Sequence, residues 1–241
     1  MLERTGLETL MNGSRQLGID LGPRQLQQFS TYARLLLEWN DRFNLTRITE
    51  PRQIVVKHFL DSLCCLTAAE FPPDAEVVDV GSGAGFPGVP IGIARPDLNI
   101  ALLDSTRKRL AFLEVLVEEL DLAGVSLLEG RAEEAGRDPA RRAYYDVAVA
   151  RAVARMNILA EYVLPLVRVG GFAVAQKGPD AGEELAEAAH AIELLGGTVE
   201  KVESVTLPSS DLRRTLVVIR KVSRTPAAYP RRPAAIQREP L

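Results

Sequence analysis

The chain has 241 residues, 46% hydrophobic and 25% charged, which is enough for one large α/β domain with an appendage. Its net charge of −3, from 29 basic and 32 acidic residues, is not the overall footprint of a nucleic-acid binder, and no apolar run is long enough for a membrane span. The only two cysteines, Cys64 and Cys65, are neighbours and leave no disulfide framework, and two histidines without spaced cysteine pairs leave no zinc pattern.

The N-terminus MLERTGLETLMNG lacks the basic-then-apolar layout of a secretion signal, so a soluble, cytoplasmic protein is expected. Leu17, Leu21, Leu26, Phe29, Tyr32, Ala33, Leu35, Leu36 and Trp39 recur near the helical period, with Pro23 placed to start a second helix. Asn40, Asp41 and Asn44 break that pattern. Pro51 then opens a further helix, RQIVVKHFLDSLCCLTAAE, which stops at Phe71-Pro72-Pro73. Residues 1–73 are therefore read as a helical N-terminal subdomain.

From Glu76 the pattern changes. EVVDV is a short β-branched run that stops at Gly81, Gly83 and Gly85, where bare backbone can turn sharply and lie against a ligand. Pro87 suits the first turn of a helix continuing through PGVPIGIARP. Apolar strands at 76–80, 99–104, 125–129, 145–150 and 171–176 alternate with helices at 87–95, 107–121, 131–136 and 156–168. Repeated βα units build a parallel, helix-covered sheet. Beyond Gly170-Gly171, a helix over 182–195 leads to TVEKVESVTL and RRTLVVIRKV, two strands too close together for a crossover, so an antiparallel strand ends the sheet. The fold expected for residues 74–222 is a doubly wound, Rossmann-like sheet with a terminal antiparallel strand, as in class I S-adenosylmethionine methyltransferases. Residues 223–241, rich in proline and arginine, are read as an extended basic tail.

In such a sheet, ligands bind outside the carboxyl ends of the strands. The letters GAGFPG satisfy G-x-G-x-x-G, which leaves an NAD-dependent oxidoreductase as an alternative. Two features oppose a pyrophosphate: Pro87 removes an N–H from the helix start, and Asp79 puts a carboxylate where phosphate would be repelled. Asp79 suits a ligand's cationic group, or it caps the turn itself. S-adenosylmethionine, with an ammonium and no phosphate, is the cofactor favoured. Asp104, about twenty residues past the glycines, is placed to accept from ribose hydroxyls, with Ser105 and Thr106 beside it or capping the next helix. Ala132 and Glu133 stand where an adenine edge can meet a backbone N–H, while Glu133 and Glu134 are equally first-turn acids favoured by the helix dipole.

Arg151, directly past a buried strand, needs an anion beside it, either a carboxylate of the fold or a phosphate. Lys177 is read as a phosphate contact or a solvated loop lysine. Lys57, His58 and Asp61 lie about one helical turn apart. His58 with Asp61 resembles a base and its orienter, but the expectation is an ordinary pair on a surface helix. No serine or cysteine triad and no metal site is read from the sequence.

NLTRI, VKHFLDSL, DVGSGAGFPGVP with IARP, LLDSTRKRLAFL, RAEE, VARA and a tail TP-x-x-YPRR ending in PL together resemble a known family. It is the bacterial ribosomal RNA small subunit methyltransferase G (RsmG) family, formerly called glucose-inhibited division protein B, and the match runs from about Asn44 to Leu241. The resemblance implies S-adenosylmethionine as cofactor, 16S ribosomal RNA or the small ribosomal subunit as partner, and methyl transfer to the seven-position nitrogen of one guanine. It carries cofactor contacts onto Gly81 and Phe86 in the loop, Asp104, Ser105 and Thr106 at the ribose, Ala132 and Glu133 at the adenine, and Arg151 at the mouth. That nitrogen has a free lone pair and no proton, so no catalytic base is implied; positioning, assigned to Arg151 and Lys177, is the task. No Asn-Pro-Pro-Tyr segment follows the fourth strand, which argues against exocyclic amine methylation. After Arg232 the tail departs from the family, with AAIQRE in place of a glycine- and lysine-rich run. No membrane partner is expected, and a monomer is the expected state. The alternative from a non-enzyme class is an RNA-binding module with a vestigial cofactor site, which the intact loop, Asp104 and Arg151 oppose.

Overall fold

The computed structural model describes residues 2–241. Seven strands form one sheet in the order β3-β2-β1-β4-β5-β7-β6. In chain order they are β1 (Glu76–Val80), β2 (Asn99–Asp104), β3 (Val125–Glu129), β4 (Tyr145–Arg151), β5 (Val167–Lys177), β6 (Gly197–Thr206) and β7 (Arg213–Lys221). The first five run parallel, and β7 is inserted antiparallel between β5 and β6. Asp79 of β1 pairs with Leu102 of β2 on one side and Val149 of β4 on the other. Strand order therefore reverses at β1, and the crevice that ligands use in this architecture opens at its carboxyl end.

The helices before the sheet are α1 (Arg4–Gln16), α2 (Pro23–Phe43), α3 (Pro51–Ile54), a π-helical segment (Val55–Leu60), α4 (Asp61–Leu63) and α5 (Cys65–Ala68). Proline sits in the first turn of both α2 and α3, where its missing N–H is no loss. Between and after the strands come α6 (Gly88–Ala94), α7 (Arg107–Glu119), α8 (Ala132–Ala135), α9 (Met156–Val163), α10 (Gly182–Glu187), α11 (Ala189–Leu194) and α12 (Pro233–Arg238). None of these helices is long and apolar enough to cross a membrane.

Burial on both faces explains why the strands read as continuous apolar runs. On one face Phe29, Tyr32, Leu36, Phe59 and Leu63 of the N-terminal helices share a core with Val77, Ile100, Leu102, Val147 and Val149. On the other, Val78, Val80, Ala148 and Ala150 pack with Leu159, Val163 and Ile192. The N-terminal helical segment is thus one of the layers that bury the sheet.

Three expectations about the elements need correction. The helix expected over 156–168 stops at Val163, and β5 starts at Val167, because Pro165 has no N–H to continue the helix. The helix expected over 182–195 is two short ones that meet at Ala188. The tail is not extended throughout. Pro233 opens α12, and the buried side chain of Ile236 anchors that helix.

A Cβ on Gly171 would lie 2.4 Å from the Asp146 carbonyl oxygen, whereas one on Gly182 meets nothing within 4 Å. Gly171→Ala is therefore expected to cost about 1–3 kcal/mol in urea unfolding, by overpacking against backbone, while Gly182→Ala is neutral or stabilising. Equal losses in the two variants would contradict this close approach.

Candidate active site

The loop after β1 is held from three sides. The N–H groups of Gly81 and Ser82 donate to the Leu103 carbonyl at 2.8 and 3.1 Å, and the Tyr32 hydroxyl of α2 donates to the Ala84 carbonyl at 2.5 Å. Gly85 has φ +95°, and a Cβ there would lie 2.7 Å from the Tyr32 hydroxyl, so only glycine fits. Asp79, fully buried beneath the loop, accepts from the Gly88 N–H at 2.9 Å through Oδ2. The capping role weighed for it is the one the fold uses, and its Oδ1 has no partner. Burial pushes its pKa up to about 7, against the opposing pull of the Gly88 hydrogen bond and Arg151. The first N–H of α6 is consequently taken by the protein's own carboxylate, and the helix start offers a phosphate little.

A pocket of about 160 Å³ opens at the carboxyl ends of β1, β2 and β3. Its walls bring together the expected Gly81, Asp104, Ser105, Ala132 and Glu133, and add Arg109, Arg131, Val153 and Tyr162. Gly83 and Thr106 are not on its walls but hold Asp104. Oδ2 of Asp104 accepts from the Gly83 N–H at 2.9 Å and from Arg109 Nη1 at 3.3 Å, and Oδ1 accepts from the Thr106 N–H at 2.8 Å. A carboxylate offers about four acceptor positions, so about one stays open for a ligand hydroxyl, and half-exposed Arg109 can yield a second. At the first turn of α8 the N–H groups of Ala132 and Glu133 find no acceptor among the described residues. An acceptor for a hydroxyl and two unpartnered amide donors, all on residues that line one cavity, suit an adenosine.

Asp79, Gly85, Phe86 and Arg151 also lie outside those walls, in the layer behind the loop. The Phe86 ring stacks with His58 (centroids 4.4 Å apart) and with Tyr32 (5.2 Å), and the Arg151 guanidinium lies 4.8 Å from its centroid. Arg151 Nη1 donates to Asp61 Oδ2 at 3.1 Å, so the anion required beside it is a carboxylate of the fold. Asp61 also accepts from Arg214 Nε at 2.9 Å and Gln176 Nε2 at 2.6 Å.

The expectation of a surface helix carrying Lys57, His58 and Asp61 was wrong for the last two. His58 and Asp61 are buried, 9% and 3% exposed, and His58 meets Arg151 rather than Asp61. The π-helical segment Val55–Leu60 shifts the phase that regular helical spacing assumes. Arg214 and Gln176 belong to the cluster but gave no pattern of their own in the sequence. Lys177 is not a solvated loop lysine: Nζ pairs with Glu184 at 2.5 Å and donates to the Ala154 carbonyl at 2.6 Å. A larger cavity of about 520 Å³, bordered by Pro23, Gln28, Leu98 and Leu122, lies at the opposite end of the strands, away from all of these groups.

Arginine has only donors, so His58 Nδ1 accepts from Arg151 at 3.3 Å and Nε2–H donates to the Thr46 hydroxyl at 2.8 Å. The ring is neutral. Burial, helped by the Arg151 charge, pushes its pKa down from 6.5 to about 3. Between those values the unfolded chain holds the extra proton, so stability due to His58 is lost as pH falls through this window. Asp79 acts with the opposite sign between 3.8 and about 7, a contribution common to wild type and a His58 variant. In urea unfolding from pH 7.5 down to about 4, the stability gap between wild type and His58→Gln is expected to narrow. A constant gap would mean that the ring titrates as freely in the fold as outside it.

Comparison with known proteins places this geometry in a lineage. A family model described as rRNA small subunit methyltransferase G matches residues 25–216. A ribosomal RNA small subunit methyltransferase G from Alkaliphilus metalliredigens is 46% identical over 232 residues, covering 96% of this chain and 97% of the relative. One from Roseiflexus sp. is 50% identical over 236 residues, covering 98% and 100%. Among solved structures, TrmN from Thermus thermophilus (TM-score 0.52, 15% identity) matches over 70% of this chain and 53% of that one. The cyclase SpnF (TM-score 0.56, 14% identity) matches over 85% and 98%. A cyclase on the same sheet shows that the fold alone does not dictate the chemistry. On the extent and identity of the sequence matches, the chain belongs to the rRNA small subunit methyltransferase G family.

Proposed function

We propose that the chain transfers the methyl group of S-adenosylmethionine to the seven-position nitrogen of a guanine in 16S ribosomal RNA, naked or within the small subunit. It does so as a cytoplasmic monomer. The observation that carries this reading is the buried Asp104 carboxylate, which keeps an acceptor position open opposite the free amides of Ala132 and Glu133. The start of α6 is meanwhile closed by Asp79, which suits an adenosyl group without a pyrophosphate.

In this reading Asp104 and Ser105 hold the ribose, Ala132 and Glu133 the adenine edge, and Gly81 the near side of the pocket. Asp79 lies sealed behind the loop, so its part in this reading is to hold the start of α6 beside the pocket rather than to touch the cofactor. Bound in the pocket, the cofactor supplies an electrophilic methyl group. The guanine nitrogen attacks with a lone pair and carries no proton, so the protein needs no base, and the neutral, hydrogen-bonded His58 supplies none. The work of the chain is to position and to exclude water. Arg151, fixed by Asp61 and lying over Phe86, is assigned to the guanine edge or an adjoining RNA phosphate. Lys177 reaches a phosphate only by leaving Glu184. Residues 1–73 are assigned to support of the loop, 74–222 to methyl transfer, and 223–241 to a C-terminal tail.

Methyl label from S-adenosylmethionine, incubated with small subunits or naked 16S RNA, is expected in 7-methylguanine after hydrolysis. Arg151→Ala should slow single-turnover transfer about a hundredfold, as loss of a positioning group does. Label in another base would overturn the assigned product. An unchanged rate and cofactor affinity in the variant would remove Arg151 from the site.

A further inference from the structure

The tail is built into the molecule. Arg231 grips the fully buried carboxylate of Glu161 in α9: its backbone N–H donates at 2.6 Å, and its guanidinium approaches to 2.7 Å. The side chain of Ile236 is fully buried, and Asn157 Nδ2 donates to the Leu241 carbonyl at 3.2 Å. These contacts lay the last residues of the chain along α9. The residue after Glu161 is Tyr162, whose side chain packs into the apolar layer containing Val80 and Leu103 and lines the same pocket as Gly81, Asp104 and Glu133. Gln237 Nε2 of α12 donates to the Tyr162 hydroxyl at 3.0 Å. A ring held at both ends, by packing and by an amide, has few rotamers left and offers a fixed apolar wall.

We propose that Tyr162 is a cofactor-positioning wall for the adenosine end of the pocket, and that Gln237 of the tail sets its ring, so that the C-terminal segment is part of the cofactor site. The inference rests on the pocket being the S-adenosylmethionine site. A purine and a phenol ring suit one another, because stacking needs only two flat apolar faces. Gln237 donates to the hydroxyl oxygen and leaves the phenolic hydrogen for an acceptor on the ligand. One tail charge is committed within the fold. Arg231 is spent on Glu161, and the polar group that α12 directs at α9 is the uncharged amide of Gln237.

Calorimetric titration of the full-length chain with S-adenosylhomocysteine tests this. Tyr162→Ala is expected to weaken binding about tenfold, and Gln237→Ala about threefold, each titrated well below the melting temperature of the variant. In the Tyr162→Phe background, which keeps the ring and removes the amide's acceptor, Gln237→Ala should add nothing. If wild type binds and Tyr162→Ala binds equally well, the wall does not exist and the cofactor reading stands. Losses from Gln237→Ala that persist unchanged in the Tyr162→Phe background overturn the tail's role. Failure of wild type to bind overturns both the inference and the function it rests on.

Discussion

A single buried carboxylate organises the carboxyl edge of this sheet. Asp61 leaves the π-helical segment with its side chain 4% exposed, and a charge so placed must be met by donors. It is met by Arg151 at the end of β4, Gln176 near the end of β5 and Arg214 at the start of β7. Three neighbouring strands are thereby tied to the N-terminal helices at one point. The arrangement also fixes Arg151, whose guanidinium lies 4.8 Å from the centroid of Phe86. Phe86 in turn belongs to the glycine loop, so a carboxylate outside the pocket is tied to the loop whose Gly81 lines it.

The electrostatics around that point follow from its stoichiometry. Two guanidiniums share one carboxylate; burial, helped by the Arg151 charge, keeps His58 neutral, and Arg151 also draws the pKa of Asp79 down from where burial alone would take it. A proton-transfer site would need a group poised to titrate near neutral pH with access to the substrate. His58 is too low and is hydrogen-bonded on both nitrogens, and Asp79 lies sealed under the loop. This is an environment for holding and orienting, consistent with a nucleophile that carries no proton.

How much of this was legible in the sequence differs from element to element. The strand–glycine–helix corner at 76–94 was readable because β-branched runs and glycines act locally, and Asp104 because acceptors at the end of the second strand follow from the sheet's geometry. The lining roles of Gly81, Asp104, Ser105, Ala132 and Glu133 came from the same rule. Asp61 with Arg214 did not, because 153 positions separate them and only the insertion of β7 beside β5 brings them together. The burial of His58 was hidden because nearly all of residues 54–65 are enclosed, whereas the polar letters Lys57, His58 and Asp61 read as the solvent face of an amphipathic helix. Tyr162 falls within the helix expected over 156–168, and nothing local signals that it lines the cavity. The tail's proline and arginine suggested an extended basic segment; the buried Glu161 that claims Arg231 lies 70 positions away.

The claim that Asp61 sets Arg151, and through it the site, is tested most directly by a double-mutant cycle on single-turnover methyl transfer. Asp61→Asn keeps the shape and removes the charge. Its rate is expected to fall at least about tenfold, and combining it with Arg151→Ala should lose little beyond Arg151→Ala alone, because the two act as one unit. A full rate in Asp61→Asn, or losses that simply multiply in the double variant, would contradict the account.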